Sequence, residues 1–393
     1  MAINDSLQPT EKPSIQAATG KTSRLFFIDH LRAALVILVV LHHVAIVYGE
    51  GVSFWYVEPA DKESLAYLVG LFFVLFNQAW FMGGLFLLAG YFMPGSFDRK
   101  GSGSFLKGRL LRLGIPLIIW IFVISPISAI GLFLEPNPRI PVPLTWGSFS
   151  QMYPEFIGLG IAWFLALLLI FSFGYAAWRM LRRNRTSSSQ NVPSPPSYLG
   201  IGIFILGLAL LSYLVRIVVP IGRTVLDFPT LAYLPQYLSF FVIGIIAYPR
   251  NWFRTIPGSM GVVGFVIALV ATILLFPLAF FGGLTGEFLG YGQWQSAVYT
   301  LWDSIFAVGM SLAAITFFRR FFNKDSGFGR FLSQQSYAVY IIHPPIIVFL
   351  AFALSGIVLG SFLKFGLLTV IVIPTCFLVA YIIRKIPGVS RVL

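Results

Sequence analysis

Charged residues and cysteine are scarce in this chain of 393 residues. Asp, Glu, Lys and Arg make up 10% of it, whereas an average soluble domain has about 25%. Its one cysteine, Cys376, excludes a disulfide within the chain and a metal site built on cysteines. Acids are especially few, at 14 against 27 Lys and Arg. A chain so poor in charge does not have the composition of a soluble enzyme.

The chain has long apolar segments instead. Hydrophobic residues make up 58% of it, and the mean hydropathy is +0.86. Because only helices satisfy every backbone group of an open chain in lipid, these segments are expected to be helical. The sequence therefore predicts an all-α polytopic membrane protein with about ten transmembrane helices, each near the 20 residues that a bilayer requires. The segments are 31–49, 68–93, 110–134, 157–179, 198–219, 230–248, 259–281, 295–318, 334–356 and 361–383.

Basic residues mark one side of the predicted membrane. If the N-terminus is cytoplasmic, the inner connections hold clusters such as 99–112, 182–185 and 319–320, and the outer connections hold fewer cations. Lys and Arg favour the cytoplasmic side, so both termini are predicted to be cytoplasmic. Topology then explains the net charge of +13, and nucleic acid is not an expected partner. The aromatic and acidic connections at 49–64 and 135–155 are expected to cover or line an external mouth.

The membrane domain is predicted to occupy residues 24–385. Residues 1–23 are polar and lack the apolar core of a signal peptide, so they are expected to form a disordered cytoplasmic tail. Residues 386–393 are expected to form a second, short cytoplasmic tail.

The first predicted span contains an arginine and two histidines. Ten residues separate Arg32 from His43, which puts the two side chains on nearly one helix face, about 16 Å apart, while His42 points about 80° away. Histidine suits acid–base chemistry near neutral pH, so we interpret Arg32 and His43 as a functional pair. The structural alternatives are an arginine that reaches lipid phosphates and a histidine that bonds a neighbouring helix.

Four further polar side chains lie in predicted spans, where ionisable groups are costly. Asp303 either orients a histidine, relays a proton or faces an external vestibule. Two prolines follow His343 and are expected to open the helix, so that His343 lines a cavity or has a structural role. Asn77 and Gln78 either bind a polar substrate or join neighbouring helices. No metal site is expected.

A basic motif, FLKGRLLRLGIPL at 105–117, stands where the third predicted span begins. Arg109 and Arg112 are three residues apart and share one helix face. Arginine suits the recognition of phosphate, and Lys107 adds positive charge, so the three are candidates to bind an anionic cofactor. Topology alone also places basic residues at this point.

These stretches together resemble the integral-membrane acyltransferase-3 family of O-acyltransferases, and most nearly its branch of periplasmic-glucan succinyltransferases. The resemblance covers about residues 24–385. It rests on RLFFIDHLRAALVILVVLHHVAIVYG with its R-x10-H spacing, LFLLAGYFM, FLKGRLLRLGIP with its RxxR motif, AWFLALLLIF and SYAVYIIHPPIIV.

The resemblance implies a multi-pass protein of the cell membrane, in bacteria the inner membrane. It implies transfer of an acyl group from cytoplasmic acyl-CoA to a hydroxyl of a carbohydrate or lipid-linked glycan. Arg109 and Arg112 would hold the coenzyme, and Arg32 and His43 would form the reactive pair. Some relatives have an appended esterase-like domain, and this chain is expected to acylate its acceptor directly or to pass the acyl group to another protein.

We therefore expect His43 to be the general base on the acceptor hydroxyl; a transient acyl-histidine or another covalent enzyme intermediate is the chemical alternative. A polytopic transporter of a small polar solute or glycan is the alternative, and an enzyme whose acceptor stays in the bilayer is a third. The remaining candidates are Asp303 as a partner of His43, and Asn77, Gln78 and His343 for binding substrate.

Overall fold

The computed structural model describes residues 24–49, 54–59, 61–182, 194–282 and 286–393; the predicted tail 1–23 lies outside them. The described residues form α-helices and short 3₁₀ and π segments, without a β-strand, so the all-α prediction is confirmed. The α-helices are α1 Phe26–Tyr48, α2 Leu65–Gln78, α3 Phe81–Arg109, α4 Ile115–Ile119, α5 Ser125–Ala129, α6 Gly131–Leu134, α7 Trp146–Phe156, α8 Trp163–Leu181, α9 Tyr198–Val218, α10 Leu234–Ala247, α11 Trp252–Thr255, α12 Gly258–Phe281, α13 Trp294–Phe321, α14 Gly327–Ala353 and α15 Ser361–Arg384.

Eight helical segments among the described residues are long and apolar enough to cross a membrane, which confirms a multi-pass membrane protein. One of them, Leu65–Leu134, has 70 residues and contains two predicted spans, with a change of direction at Gly101, where φ is +70°. Leu231–Ala247 is apolar but shorter. The number of crossings and the cytoplasmic location of the termini stay predictions.

The helices α1 and α14 begin at the same end of the bundle, where α13 and α15 end. Nδ1 of His30, in the first turns of α1, lies 2.6 Å from the carbonyl oxygen of Phe322, just after α13. Arg384, the last residue of α15, donates to the carbonyl of Gln334 in α14 at 2.6 Å. We call this the inner end, after the predicted topology, and the opposite one the outer end.

The first helix lies inside the bundle. Of its most apolar stretch, 67% is buried, compared with 22% for α9 and for α12. It packs against α2, α3, α13, α14 and α15. A mainly apolar helix that is surrounded by others belongs to the core, so His42 and His43 face protein.

Tyrosine hydroxyls satisfy backbone carbonyls that prolines leave without a partner. Proline has no N–H for the carbonyl four residues earlier in a helix. The hydroxyl of Tyr337 donates to the carbonyl of Arg112, four residues before Pro116. The hydroxyl of Tyr153 donates, at 2.5 Å, to the carbonyl four residues before Pro126. The stretch after α3 therefore depends on other helices for part of its hydrogen bonding.

Candidate active site

The prolines after His343 determine which nitrogen of its ring carries the proton. The helix α14 runs through both of them, so the expected opening is not present. Pro344 offers no N–H to the carbonyl of Tyr340, and Nδ1 of His343 lies 2.8 Å from that oxygen. Because a carbonyl only accepts, Nδ1 carries the proton, and Nε2 of the neutral ring is left as an acceptor.

His43 contacts this acceptor directly. Its Nδ1 lies 3.2 Å from Nε2 of His343 and 2.9 Å from the carbonyl oxygen of Val39. Both partners accept, so Nδ1 of His43 must be the donor. The neutral His43 ring therefore keeps its lone pair on Nε2. Sequence reasoning did not foresee this pairing, because the two histidines are 300 positions apart.

Both histidines of α1 line a cavity of about 400 Å³ that reaches the loops of the outer end. It has aromatic walls and a polar rim, a combination typical of small-molecule sites. The aromatic rings include Phe54, Trp55, Phe81 and Trp163, and the polar side chains include Gln78, Arg139, Thr224, Asp227 and Thr230. A polar molecule from the outer side can therefore approach His43.

The segment 54–59 covers this cavity, as expected for the first long outer connection. The Phe54 ring lies 5.3 Å from the ring of His43. Arg139 donates to the carbonyl of Phe54 and pairs with Glu135 at 2.6 Å. Glu135 also accepts from the backbone N–H of Val57 at 3.2 Å. One ion pair thus holds this segment over the histidine.

A second ion pair anchors the other end of the same segment. Nζ of Lys364 lies 2.5 Å from Oε2 of Glu58, and both side chains are largely buried. Burial and the charge of Glu58 raise the pKa of Tyr56 to about 12, so its hydroxyl stays protonated. The 54–59 segment is therefore fixed by charges at both ends.

Arg32 contacts α14, the helix that His43 also contacts. Its Nη2 lies 2.9 Å from Oγ of Ser333 and 3.2 Å from Oδ1 of Asp29. The structure thus turns Arg32 and His43 toward one neighbour, with the arginine nearer the inner end. Arg32 does not line the outer cavity, which reaches down α1 to Val39.

The three cations of the basic motif lie at the inner end without an acidic partner among the described residues. Lys107 and Arg112 are exposed. Arg109 is half-buried, with its guanidinium 5.0 Å from the Phe105 ring and 3.2 Å from Sδ of Met93. Because no carboxylate neutralises them, these cations are available to an anionic ligand.

Asp303 pairs with Arg216 instead of a histidine, which corrects its expected role as a partner of His43. Its Oδ2 lies 2.5 Å from Nη2 of Arg216, and the two side chains are 3% and 0% exposed. Nε2 of Gln236 lies 3.4 Å from the other carboxylate oxygen. Arg216 was not among the residues predicted for the site, although its position inside the predicted span 198–219 is a signal of burial.

The two neighbouring amides have different surroundings. Gln78 lines the cavity and donates to the Tyr237 hydroxyl at 3.0 Å. Asn77 is buried and is not among the cavity residues. Of the amides predicted to bind substrate, the structure therefore brings only Gln78 to the cavity. His343 is buried behind His43 and contacts the site through that ring.

Comparisons with known proteins agree with this architecture. Residues 25–383 match the family model Acyl_transf_3, described as an acyltransferase domain. Glucans biosynthesis protein C of Escherichia coli O17:K52:H18 (strain UMN026) and of strain K12 are each 23% identical over 366 residues, which covers 88% of this chain and 89% of theirs. No solved structure matches. The resemblance is confirmed: the chain belongs to the Acyl_transf_3 family of acyltransferases.

Proposed function

We propose that this protein transfers an acyl group from cytoplasmic acyl-CoA to a hydroxyl of an exported carbohydrate, with His43 as the general base. One observation carries the proposal. Nδ1 of His43 is engaged by Val39 and His343, which leaves the lone pair on Nε2 of a ring that lines the cavity at the outer end. Membership of the family supports acyl transfer, and the name of the relatives, glucans biosynthesis protein C, supports a carbohydrate acceptor.

The outer cavity suits a saccharide. A sugar ring has apolar C–H faces that pack on aromatic rings, and hydroxyls that need hydrogen-bonding partners. Trp55 and Trp163 provide the rings, while Gln78, Asp227 and Thr230 provide donors and acceptors. The cavity of about 400 Å³ is within the usual range for small-molecule sites.

The inner end suits the donor. Coenzyme A has phosphates at one end of a long arm and the thioester at the other. Lys107, Arg109 and Arg112 would bind the phosphates, because arginine forks match their oxygens. The arm would then extend between α1 and α14, where Arg32 contacts Ser333. By helix rise Arg32 is about 16 Å from His43, so it would act on the arm and not on the reacting carbonyl.

The chemistry follows from the ring geometry. Nε2 of His43 takes the proton of the acceptor hydroxyl as the hydroxyl oxygen attacks the thioester carbonyl carbon. The tetrahedral intermediate collapses with cleavage of the C–S bond, and the imidazolium returns the proton to sulfur, so that coenzyme A leaves as a thiol. His343 keeps accepting from Nδ1–H and so holds the His43 ring in place while its charge changes.

Two measurements test the proposal. Purified protein is incubated with acetyl-CoA or succinyl-CoA and a glucan oligosaccharide, and thiol release and ester formation are followed. Envelope glycans from a strain that lacks the protein are compared with the parent by mass spectrometry. We expect acceptor-dependent thiol release and the loss of one ester mass. Unchanged glycans, together with solute flux in proteoliposomes without acyl-CoA, would favour a transporter instead.

A further inference from the structure

A buried network of hydrogen bonds and one ion pair holds the interruption between α2 and α3. The proposed chemistry does not use this network. The carbonyl of Ala79, in this interruption, accepts from Nε2 of Gln236 at 2.7 Å. The same nitrogen lies 3.4 Å from Oδ1 of Asp303, whose Oδ2 lies 2.5 Å from Nη2 of Arg216. The network thus links α9 and α13, through α10, to the predicted second span, which is interrupted between α2 and α3.

Burial of this ion pair is costly, because both charges leave water and only part of their bonding capacity is used. Nη1 of Arg216 has no hydrogen-bond partner among the described residues. The guanidinium instead lies against the rings of Tyr233 and Tyr299, at 4.6 and 5.6 Å from their centroids. A buried pair of this kind often adds no net stability compared with apolar residues of similar volume, so stability alone does not account for it.

The interruption has a cavity residue on each side. Gln78 precedes it and Phe81 follows it, and both line the outer cavity. Phe81 lies 5.0 Å from the ring of His42. The Tyr237 hydroxyl accepts from Gln78, and its ring stacks on Trp163 at 5.2 Å. A change in the interruption would therefore move one wall of the cavity.

The packing around Gln236 leaves little freedom. A Cβ placed on Gly83 would lie 2.9 Å from Oε1 of Gln236. A glycine at this position lets the amide lie close against α3 and reach the Ala79 carbonyl. The position of the amide is thus determined from two sides, by Asp303 and by the backbone of α3.

We propose that Arg216, Asp303 and Gln236 are positioning residues for the acceptor. They hold the interruption of the second span, so that Gln78 and Phe81 form one wall of the acceptor cavity. That the bound molecule is the acceptor rests on the proposed function. That the three residues fix the interruption between α2 and α3 does not. Within the described part of the chain, the three residues form no hydrogen bond with His43 or with the basic motif.

Two variants and three readouts test this. Asp303→Asn keeps the shape but removes the charge, and Gln236→Met cuts the link while leaving the ion pair intact. Hydrogen–deuterium exchange over 77–84, acceptor-independent hydrolysis of acetyl-CoA and succinyl-CoA, and transfer to a glucan tetrasaccharide are measured. Asp98→Asn, which breaks the inner-end pair of Asp98 with Arg179 at 2.6 Å, is the matched control.

We expect faster exchange over 77–84 and a rise of about tenfold in KM for the tetrasaccharide, the effect of one lost hydrogen bond. Hydrolysis and kcat should stay within about threefold of wild type, and the control should change neither exchange nor KM. Unchanged exchange, or a loss of kcat at constant KM, would overturn the inference. If Asp303→Asn does not fold, Gln236→Met decides. If the wild-type protein consumes no acyl-CoA, the proposed function is rejected. The exchange data would still test whether the three residues fix the interruption between α2 and α3.

Discussion

Nε2 of His343 lies 3.2 Å from Nδ1 of His43, and helix carbonyls determine the tautomer of both rings. The carbonyl of Tyr340 is free for His343 because a proline follows that histidine. The histidine–proline–proline sequence of α14 thus acts on α1 through one hydrogen bond. Because this bond engages Nδ1–H of His43, the lone pair of that ring is on Nε2.

His343 is predicted to be a positioning residue for His43. His343→Ala should lower kcat about tenfold with little change in the donor KM, since one hydrogen bond to the base is lost. His343→Gln offers an amide oxygen to the same Nδ1–H and should recover part of the rate. The rate of thiol release by purified variants measures this. Equal losses in both variants would mean that His343 does more than accept this bond.

The hydroxyl of Tyr337 is predicted to support the donor site. Tyr337→Phe removes the partner of the Arg112 carbonyl and should cost about 1 kcal/mol of stability, together with a higher donor KM. Tyr153→Phe removes a hydroxyl in the same role near the outer end and is the matched control. Its thermal stability should fall similarly without a change in donor KM. An equal donor KM in the two variants would show that Tyr337 does not affect donor binding.

The basic motif is predicted to bind the phosphates of the donor. Arg109→Ala and Arg112→Ala should each raise the donor KM about 10- to 100-fold, the range for a charged hydrogen bond, and Lys at either position should restore only part of it. Salt should weaken donor binding by the wild type more than by the variants, because screening acts on the charges that they lack. A donor KM independent of both arginines would remove this motif from the site.

The ion pair over the cavity is predicted to affect the acceptor only. Glu135→Gln weakens the hold on Arg139 and on the segment 54–59, which carries Phe54 and Trp55 over His43. We expect a higher KM for a glucan acceptor, with the donor KM and acceptor-independent hydrolysis unchanged. Steady-state kinetics in which both substrates are varied gives the donor KM and the acceptor KM separately. A change in donor KM alone would contradict this assignment.

The helical class and the shared face of Arg32 and His43 could be predicted because both depend on local periodicity. Apolar length defines a membrane helix, and a spacing of ten intervening residues nearly completes three helical turns. The neighbour that this face meets could not be predicted in the same way. The contacts with Ser333 and His343 join residues 301 and 300 positions apart.

The role of Arg216 was missed for a related reason. Its position inside the predicted span 198–219 indicates burial, but it does not show which residue is the partner. Asp303 lies 87 positions away, and only the packing of α9 on α13 joins them. Asn77 and Gln78 point about 100° apart on α2, but the sequence did not show which of the two faces the cavity.

The rate of acyl transfer from acyl-CoA by His43→Gln, compared with His42→Gln, shows whether His43 is the general base. Both histidines line the cavity, but only His43 contacts His343 through a hydrogen bond. We expect His43→Gln to fold, to bind the donor and to lose about 10²-fold or more of kcat, the usual contribution of a general base. His42→Gln should lose far less. A His43→Gln protein that retains nearly wild-type turnover, or a larger loss in His42→Gln, would contradict this expectation.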